Sequence, residues 1–145
     1  MRRAITVLVA AVLGLGSLVV IAQPAAANVT LGQGWSIWTR EYCEDGSFVN
    51  MRRLSFTGRG TQGREYVYRR NGRLCAFVVD HLAGSHWIVV SARHQKSWGI
   101  DSGYYTEYAG AVAGPGGKCI EVLPSLQIPS GGKTYLYGAP WRKYC

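Results

Sequence analysis

The chain has 145 residues, 48% of them hydrophobic and 17% charged, with 16 Lys and Arg against 8 Asp and Glu. That balance is too apolar and too weakly charged for a disordered chain, and the length remaining after an N-terminal leader is one domain's worth. A multidomain enzyme, a nucleotide-binding α/β fold and a polytopic membrane protein are excluded, which leaves a small, basic, exported globular domain.

The leader opens with Arg2 and Arg3, continues as an uncharged apolar run from Ile5 to Ile21, and ends in Gln23-Pro24-Ala25-Ala26-Ala27. This small-x-small ending is the pattern signal peptidase accepts. The expectation is a signal peptide over residues 1–27, cleavage after Ala27, and a single disulfide-stapled β domain over residues 28–145. An uncleaved membrane anchor is the competing reading, disfavoured by Gly14, Gly16 and the Ala-rich end. No cysteine stands at the cleavage site, which excludes a lipoprotein.

Residues 28–42 carry Trp35 and Trp38 among glycines and read as an entry loop with a short strand. Ser47 to Phe56 follows as a strand, and residues 57–63 are rich in turn formers. Arg64–Arg70 and Arg73–Val79 then flank Asn71-Gly72, the dipeptide of a tight two-residue hairpin, in which both turn residues take positive φ. On the first of these strands neither face is cleanly apolar, which places it at a sheet edge. Its partner is apolar on both faces, with Cys75, Phe77 and Val79 on one side and Leu74, Ala76 and Val78 on the other. His86 to Arg93 is a further strand, followed by the polar stretch His94–Ser97. Tyr104–Ala113 and Cys119–Leu123 read as a pair around Gly114-Pro115-Gly116-Gly117, and Thr134–Tyr137 adds a last short strand. The stretches 114–117 and 124–132 read as surface loops. No segment has the length and period of a helix. About seven strands with Gly/Pro punctuation predict an all-β fold, a small antiparallel meander closed as a sandwich or barrel.

Cys43, Cys75, Cys119 and Cys145 are an even set in an exported chain, so two disulfides are expected. Three pairings are formally open; Cys43 with Cys75 and Cys119 with Cys145 are favoured because each closes a local loop. A zinc site is disfavoured, because no two cysteines show CxxC spacing and His81, His86 and His94 are not spaced with them.

Two of the basic residues lie in the leader, leaving 14 against 8 acidic residues in the mature domain, a formal charge of +6. Arg52, Arg53, Arg59, Arg64, Arg69, Arg70 and Arg73 crowd into residues 52–73 with Glu65 as the one acidic residue. Arg52, Arg53, Arg64, Arg69, Arg70 and Arg73 are therefore candidate polyanion-binding residues, against the plainer reading of a solvated face that keeps an exported protein soluble. The domain holds 5 Trp and 9 Tyr. Trp35, Trp38, Trp98, Tyr104, Tyr105 and Trp141 are candidates for stacking on sugar rings or bases, against the alternative that they fill or cap the core.

For catalysis the chain offers ingredients without an arrangement. His81, His86 and His94 and the carboxylates Glu41, Glu107, Glu121 and Asp101 could serve a small secreted ribonuclease, but most chains of this size contain such residues. Ser102 lacks a G-x-S-x-G setting. The Gly-rich runs 114–118 and 131–133 lack phosphate-loop spacing and read as hairpin loops. No catalytic, metal or cofactor residues are assigned, and no cofactor is expected.

The run Asp101-Ser102-Gly103-Tyr104-Tyr105, then Tyr108-Ala109-Gly110-Ala111-Val112, Gly117-Lys118-Cys119-Ile120, and an aromatic-rich tail ending in Cys145 resembles spore-associated protein A of streptomycetes and related secreted actinobacterial proteins. The similarity covers residues 101–145 and extends to the leader and the four-cysteine layout. It implies a small exported protein found with the spore or cell surface, without established catalytic residues; only the cysteine framework and the Tyr/Gly segment carry over.

The expected function is therefore a secreted, non-enzymatic, spore- or wall-associated protein with a basic, aromatic-rich surface. Its partner would be a cell-wall or spore-envelope polymer, anionic in character, with nucleic acid a weaker candidate and no membrane span once the signal is removed. The alternatives are a small polyanion-acting enzyme or toxin of ribonuclease type, and a secreted inhibitor or carbohydrate-binding module.

Overall fold

The computed structural model describes residues 27–56, 58–130 and 132–145, so the expected signal peptide, apart from Ala27, lies outside the described residues. Two antiparallel sheets pack face to face. The chain enters along one edge of the larger sheet as β1 (Asn28–Leu31) and crosses to the smaller sheet as β2 (Ser36–Ile37). A one-turn helix α1 (Arg40–Glu44) precedes the meander β3 (Ser47–Phe56), β4 (Gly60–Arg70) and β5 (Arg73–Asp80). The hairpin β6 (His86–His94) and β7 (Ser97–Tyr105) returns to the larger sheet, and β8 (Tyr108–Ala113) goes back to the smaller one. The chain then completes the larger sheet with β9 (Ile120–Ser130), β10 (Lys133–Gly138) and β11 (Arg142–Tyr144). The orders are β1-β7-β6-β9-β10, with β11 also on β9, and β2-β8-β5-β4-β3.

The core between the sheets follows the two-residue period of strands. Ile88, Val90 and Ala92 of β6 and Ile120, Val122, Leu126 and Ile128 of β9 face Leu54, Val67, Leu74, Ala76, Val78, Ala109 and Val112 of the smaller sheet. Trp35 plugs one end, buried, with its indole N–H donating to Ser97 Oγ at 2.9 Å. Gly99 makes room for it: a Cβ there would lie 2.5 Å from Trp35 Cε3 and 2.6 Å from Val112 Cγ1. At the rim, the fully buried Glu65 pairs with Arg52 at 2.5 Å and accepts a hydrogen bond from the Tyr144 hydroxyl, tying β3, β4 and β11 together. Burial and this bond to Glu65 push the Tyr144 phenol well above its ordinary pKa.

The expected tight hairpin is present, with φ of 50° at Asn71 and 70° at Gly72. Both favoured disulfides are also present, Cys43–Cys75 and Cys119–Cys145. Four expectations need correction. Strand β4 is not at an edge but between β3 and β5; its polar inward residue Glu65 is paired and its outward Tyr66 and Tyr68 stack on Phe77, with centroids 5.3 and 6.0 Å away. Residues 60–63 belong to β4 rather than to a turn. Tyr104–Ala113 is not one strand paired with Cys119–Leu123: it breaks at Thr106-Glu107, and β8 pairs with β5 and β2. Residues 124–130 continue β9 instead of forming a loop. Pro124 is tolerated because its missing N–H falls in the gap between β10 and β11, where its carbonyl accepts from Ala139 N at 3.1 Å. Pro129 likewise turns its ring nitrogen to the side where β6 has ended and where its carbonyl accepts from Arg59 Nη1 at 2.9 Å. Helix α1 was not expected; Thr39 caps it, accepting from Tyr42 N at 3.1 Å.

Candidate functional site

The outer faces of the two sheets differ. On the smaller sheet, Phe77, Cys75, Ala111 and Ala113 are covered by Cys43 of α1, Trp38, Tyr66 and Tyr68. Arg40 of α1 lies 5.7 Å from the Phe77 ring and 5.8 Å from Tyr108 and bonds Glu44 at 3.0 Å and Glu107 at 2.8 Å. The hydrogen bond to Glu44 leads the upward shift of the Arg40 pKa. Among the described residues no helix covers the outer face of the larger sheet, to which β6 contributes Trp87, Val89, Ser91 and Arg93 and β7 contributes Trp98, Ile100, Ser102 and Tyr104.

Register places these side chains in rows across the sheet. One row is Trp98, Arg93, Glu121 and Lys143. Another is Tyr104, Trp87, Gln127 and Leu136, with Trp87 N donating to Gln127 Oε1 at 3.0 Å. Trp98 meets Trp141 edge to face with centroids 5.6 Å apart, and Trp87 meets Tyr104 in the same way at 5.3 Å. Arg93 holds the first pair: its guanidinium is 4.5 Å from the Trp141 centroid and 5.6 Å from Trp98, and its Nε donates to Glu121 Oε2 at 2.6 Å. Trp98 and Tyr104 stand six positions apart along β7, a span of about 20 Å, floored by side chains such as Val89, Ser91, Ile100 and Ser102. Trp98 is 37% exposed and Tyr104 44%. The result is an open platform with rigid aromatic edges at both ends, which is the form of surface on which a sugar chain stacks.

Two cavities adjoin the Trp98 end, around the β6–β7 turn. One, of about 470 Å³, is lined by Arg93, His94, Lys118, Cys119, Glu121 and Lys143 among others. The second, of about 580 Å³, is lined by residues that include Leu31, His94, Lys96, Trp98 and Pro115. A third, of about 300 Å³, lies at the opposite turn against Tyr105, Glu107 and Tyr108.

The arginine cluster divides once it is folded. Arg73 donates to the carbonyls of Gly114 at 2.6 Å, Gly34 at 2.8 Å and Ala113 at 3.0 Å, fastening the β8–β9 connection to the hairpin. Arg70 pairs with Asp45 at 2.9 Å and lies 3.8 Å from the Tyr42 ring, and Arg52 is held by Glu65 and the Pro140 carbonyl. Arg64 is half-buried with its Nε without a partner among the described residues, while Arg53 and Arg69 are exposed. The six candidates are therefore not one cationic surface, because strand alternation and the carbonyl-rich loops beside the hairpin take several of them inward.

The aromatic candidates also separate. Trp35 is core, and Trp38 is half-buried under the disulfide-bonded helix. Tyr105 bonds Asp101 Oδ1 at 2.6 Å; burial first and then this bond push its phenol pKa well up. Trp98, Tyr104 and Trp141 do reach the open face, and Trp87 and Arg93, absent from the candidates, join them. Their signal was in the strand His86–Arg93, where alternate positions put Trp87, Val89, Ser91 and Arg93 on one side.

Of the three histidines, His86 Nδ1 lies 2.7 Å from Asp80, whose other oxygen accepts from Leu82 N at 2.8 Å. The dyad is nearly buried, lines none of the three cavities, and secures the β5–β6 connection. His94 Nδ1 donates to the Cys119 carbonyl at 2.9 Å, and His81 is exposed. Ser102 Oγ donates to Asn28 O at 3.4 Å. Among the described residues no group of three His, Cys, Asp or Glu converges on a metal position, and no helix is long and apolar enough to cross a membrane.

No protein-family model matches the chain, and no curated protein or solved structure matches it.

Proposed function

We propose that this chain is an exported, non-enzymatic protein that associates with the cell wall or spore envelope and binds a glycan-containing polymer there. The open face of the larger sheet is its binding surface. The observation that carries the reading is the asymmetry of the sandwich: one outer face is covered by a helix and a disulfide, while the other carries two aromatic pairs about 20 Å apart on a sheet that no other described element covers. Two disulfides suit a protein working in an oxidising, extracytoplasmic setting. The leader and the similarity of residues 101–145 to secreted spore-associated proteins support the same assignment.

The test is co-sedimentation of the secreted protein with purified cell walls and spore envelopes. Trp98→Ala with Trp141→Ala weakens retention about ten-fold or more, whereas Tyr66→Ala on the covered face leaves it unchanged in protein that remains folded. Equal retention of the tryptophan variant and the wild type contradicts the assignment.

A further inference from the structure

The hairpin arginines are largely occupied within the fold, yet the domain remains strongly basic, and unoccupied cations gather elsewhere. The cavity of about 470 Å³ beside the Trp98–Trp141 pair is lined by Arg93, Lys118 and Lys143 together with His94, and Glu121 is its one acidic lining residue. Arg93 already engages Glu121 through Nε. Lys143 stands across from Glu121 in the β11–β9 register, but neither it nor Lys118 forms an ion pair among the described residues. His94 commits Nδ1–H to the Cys119 carbonyl, because a carbonyl can only accept, and this leaves Nε2 for another partner.

We infer that this cavity is an anion subsite that takes a phosphate of an envelope glycan polymer while an adjoining sugar stacks on Trp98 and Trp141; the inference rests on the proposed glycan-binding role of the open face. The chemistry of the free donors selects phosphate. A planar carboxylate is matched by the fork of an arginine, and Arg93, the one arginine lining the cavity, has its Nε committed to Glu121 and its guanidinium lying against the two tryptophan rings. Two lysine ammoniums are point charges on flexible stems, which suit oxygens spread tetrahedrally around phosphorus. The cavity and the Trp pair are continuous through Arg93, which lines the first and lies over both rings of the second. A sugar and its phosphate substituent therefore meet adjacent, chemically different surfaces. A nucleic acid would need a longer cationic track than this single cavity offers.

The test uses the secreted protein with walls from one preparation, half of them stripped of phosphate polymers by hydrofluoric acid. Wild type is expected to bind intact walls more tightly than stripped ones, and Lys118→Gln with Lys143→Gln to lose roughly 25-fold on intact walls, about five-fold for each lysine facing an anionic surface. The same double variant binds stripped walls as wild type does, and its melting temperature is unchanged because both lysines are exposed. Wild type binding intact and stripped walls equally, with the lysine variant indistinguishable, overturns the phosphate subsite while leaving the glycan role intact. No binding of wild type to either wall overturns the glycan role itself. Duplex DNA that competes as well as soluble phosphate-bearing wall polymer at equal phosphate also overturns the subsite.

Discussion

Replacing Glu65 by Gln probes the charged contact at the rim of the core. Glu65 is fully buried, one carboxylate oxygen 2.5 Å from Arg52 Nη2 and the other accepting from the Tyr144 hydroxyl. The Arg52 side chain is only 13% exposed, and its Nε has no partner among the described residues. Gln preserves shape but leaves the guanidinium without a counter-charge, so the expected loss is that of breaking a buried pair, about 3–5 kcal/mol. With an unfolding entropy of roughly 2.1 cal/mol/K per residue, a domain of this size loses about 4 °C per kcal/mol, so the melting temperature should fall by about 12–20 °C. The assay is thermal and guanidinium unfolding with disulfides intact, for Glu65→Gln, Tyr144→Phe and the double variant. The three groups act as one network, so the double variant should cost less than the sum of the singles by about 0.5–3 kcal/mol. A single-variant shift below about 1 kcal/mol, or strict additivity, would mean that Arg52, Glu65 and Tyr144 do not form one buried, coupled network.

Tyr105 and Tyr144 have pKa values raised in the fold by burial and by carboxylate partners; their contribution is complete below the unfolded value of about 10 and is lost as pH rises beyond it. Guanidinium midpoints should therefore show little tyrosine-linked change from pH 7 to about 9.5 and fall above about 10, and Tyr105→Phe with Tyr144→Phe should flatten that fall; an identical alkaline loss in the double variant would contradict the assignment. Arg73→Ala removes three bonds to backbone carbonyls and should cost about 2–4 kcal/mol, whereas Arg69→Ala on the same hairpin should leave the melting temperature within about 2 °C of wild type; equal effects would mean that the hairpin arginines are not divided as described. The disulfides close separations of 32 and 26 residues, so Cys43→Ala with Cys75→Ala, and Cys119→Ala with Cys145→Ala, should each cost about 3.5–4 kcal/mol through the unfolded chain; unchanged unfolding midpoints would show that the bonds add little.

The features legible in the sequence were those set by local chemistry. Asn71-Gly72 demanded a tight hairpin because two successive residues had to take positive φ, and the two disulfides joined the cysteines that closed local loops. The burial of β5 on both faces was written in its unbroken apolar run. What failed depended on neighbours distant in sequence. Pro124 and Pro129 read as loop residues, yet each sits where its missing N–H faces the end of a partner strand, a position fixed only by where β6, β10 and β11 stop. Strand β4 reads as an edge because neither of its faces is cleanly apolar, and only Arg52 and Tyr144 explain how Glu65 is buried there. The arginine cluster was conspicuous by composition, but such partners as Tyr42 of α1 for Arg70 and the Pro140 carbonyl for Arg52 lie 28 and 88 residues away. The open face is half visible in the sequence: Trp98, Tyr104 and Trp141 stand out as aromatics, while Trp87 and Arg93 lie in a strand whose alternation already places them together.

The most direct measurement is the retention of wild type and of Trp98→Ala/Trp141→Ala protein on purified walls, read as dissociation constants with folding verified by thermal melts. Wild-type protein is expected to bind, and the tryptophan substitutions to weaken that binding about ten-fold or more while the melting temperature holds. Unchanged affinity in a folded variant, or no wall binding by the wild type, would contradict it.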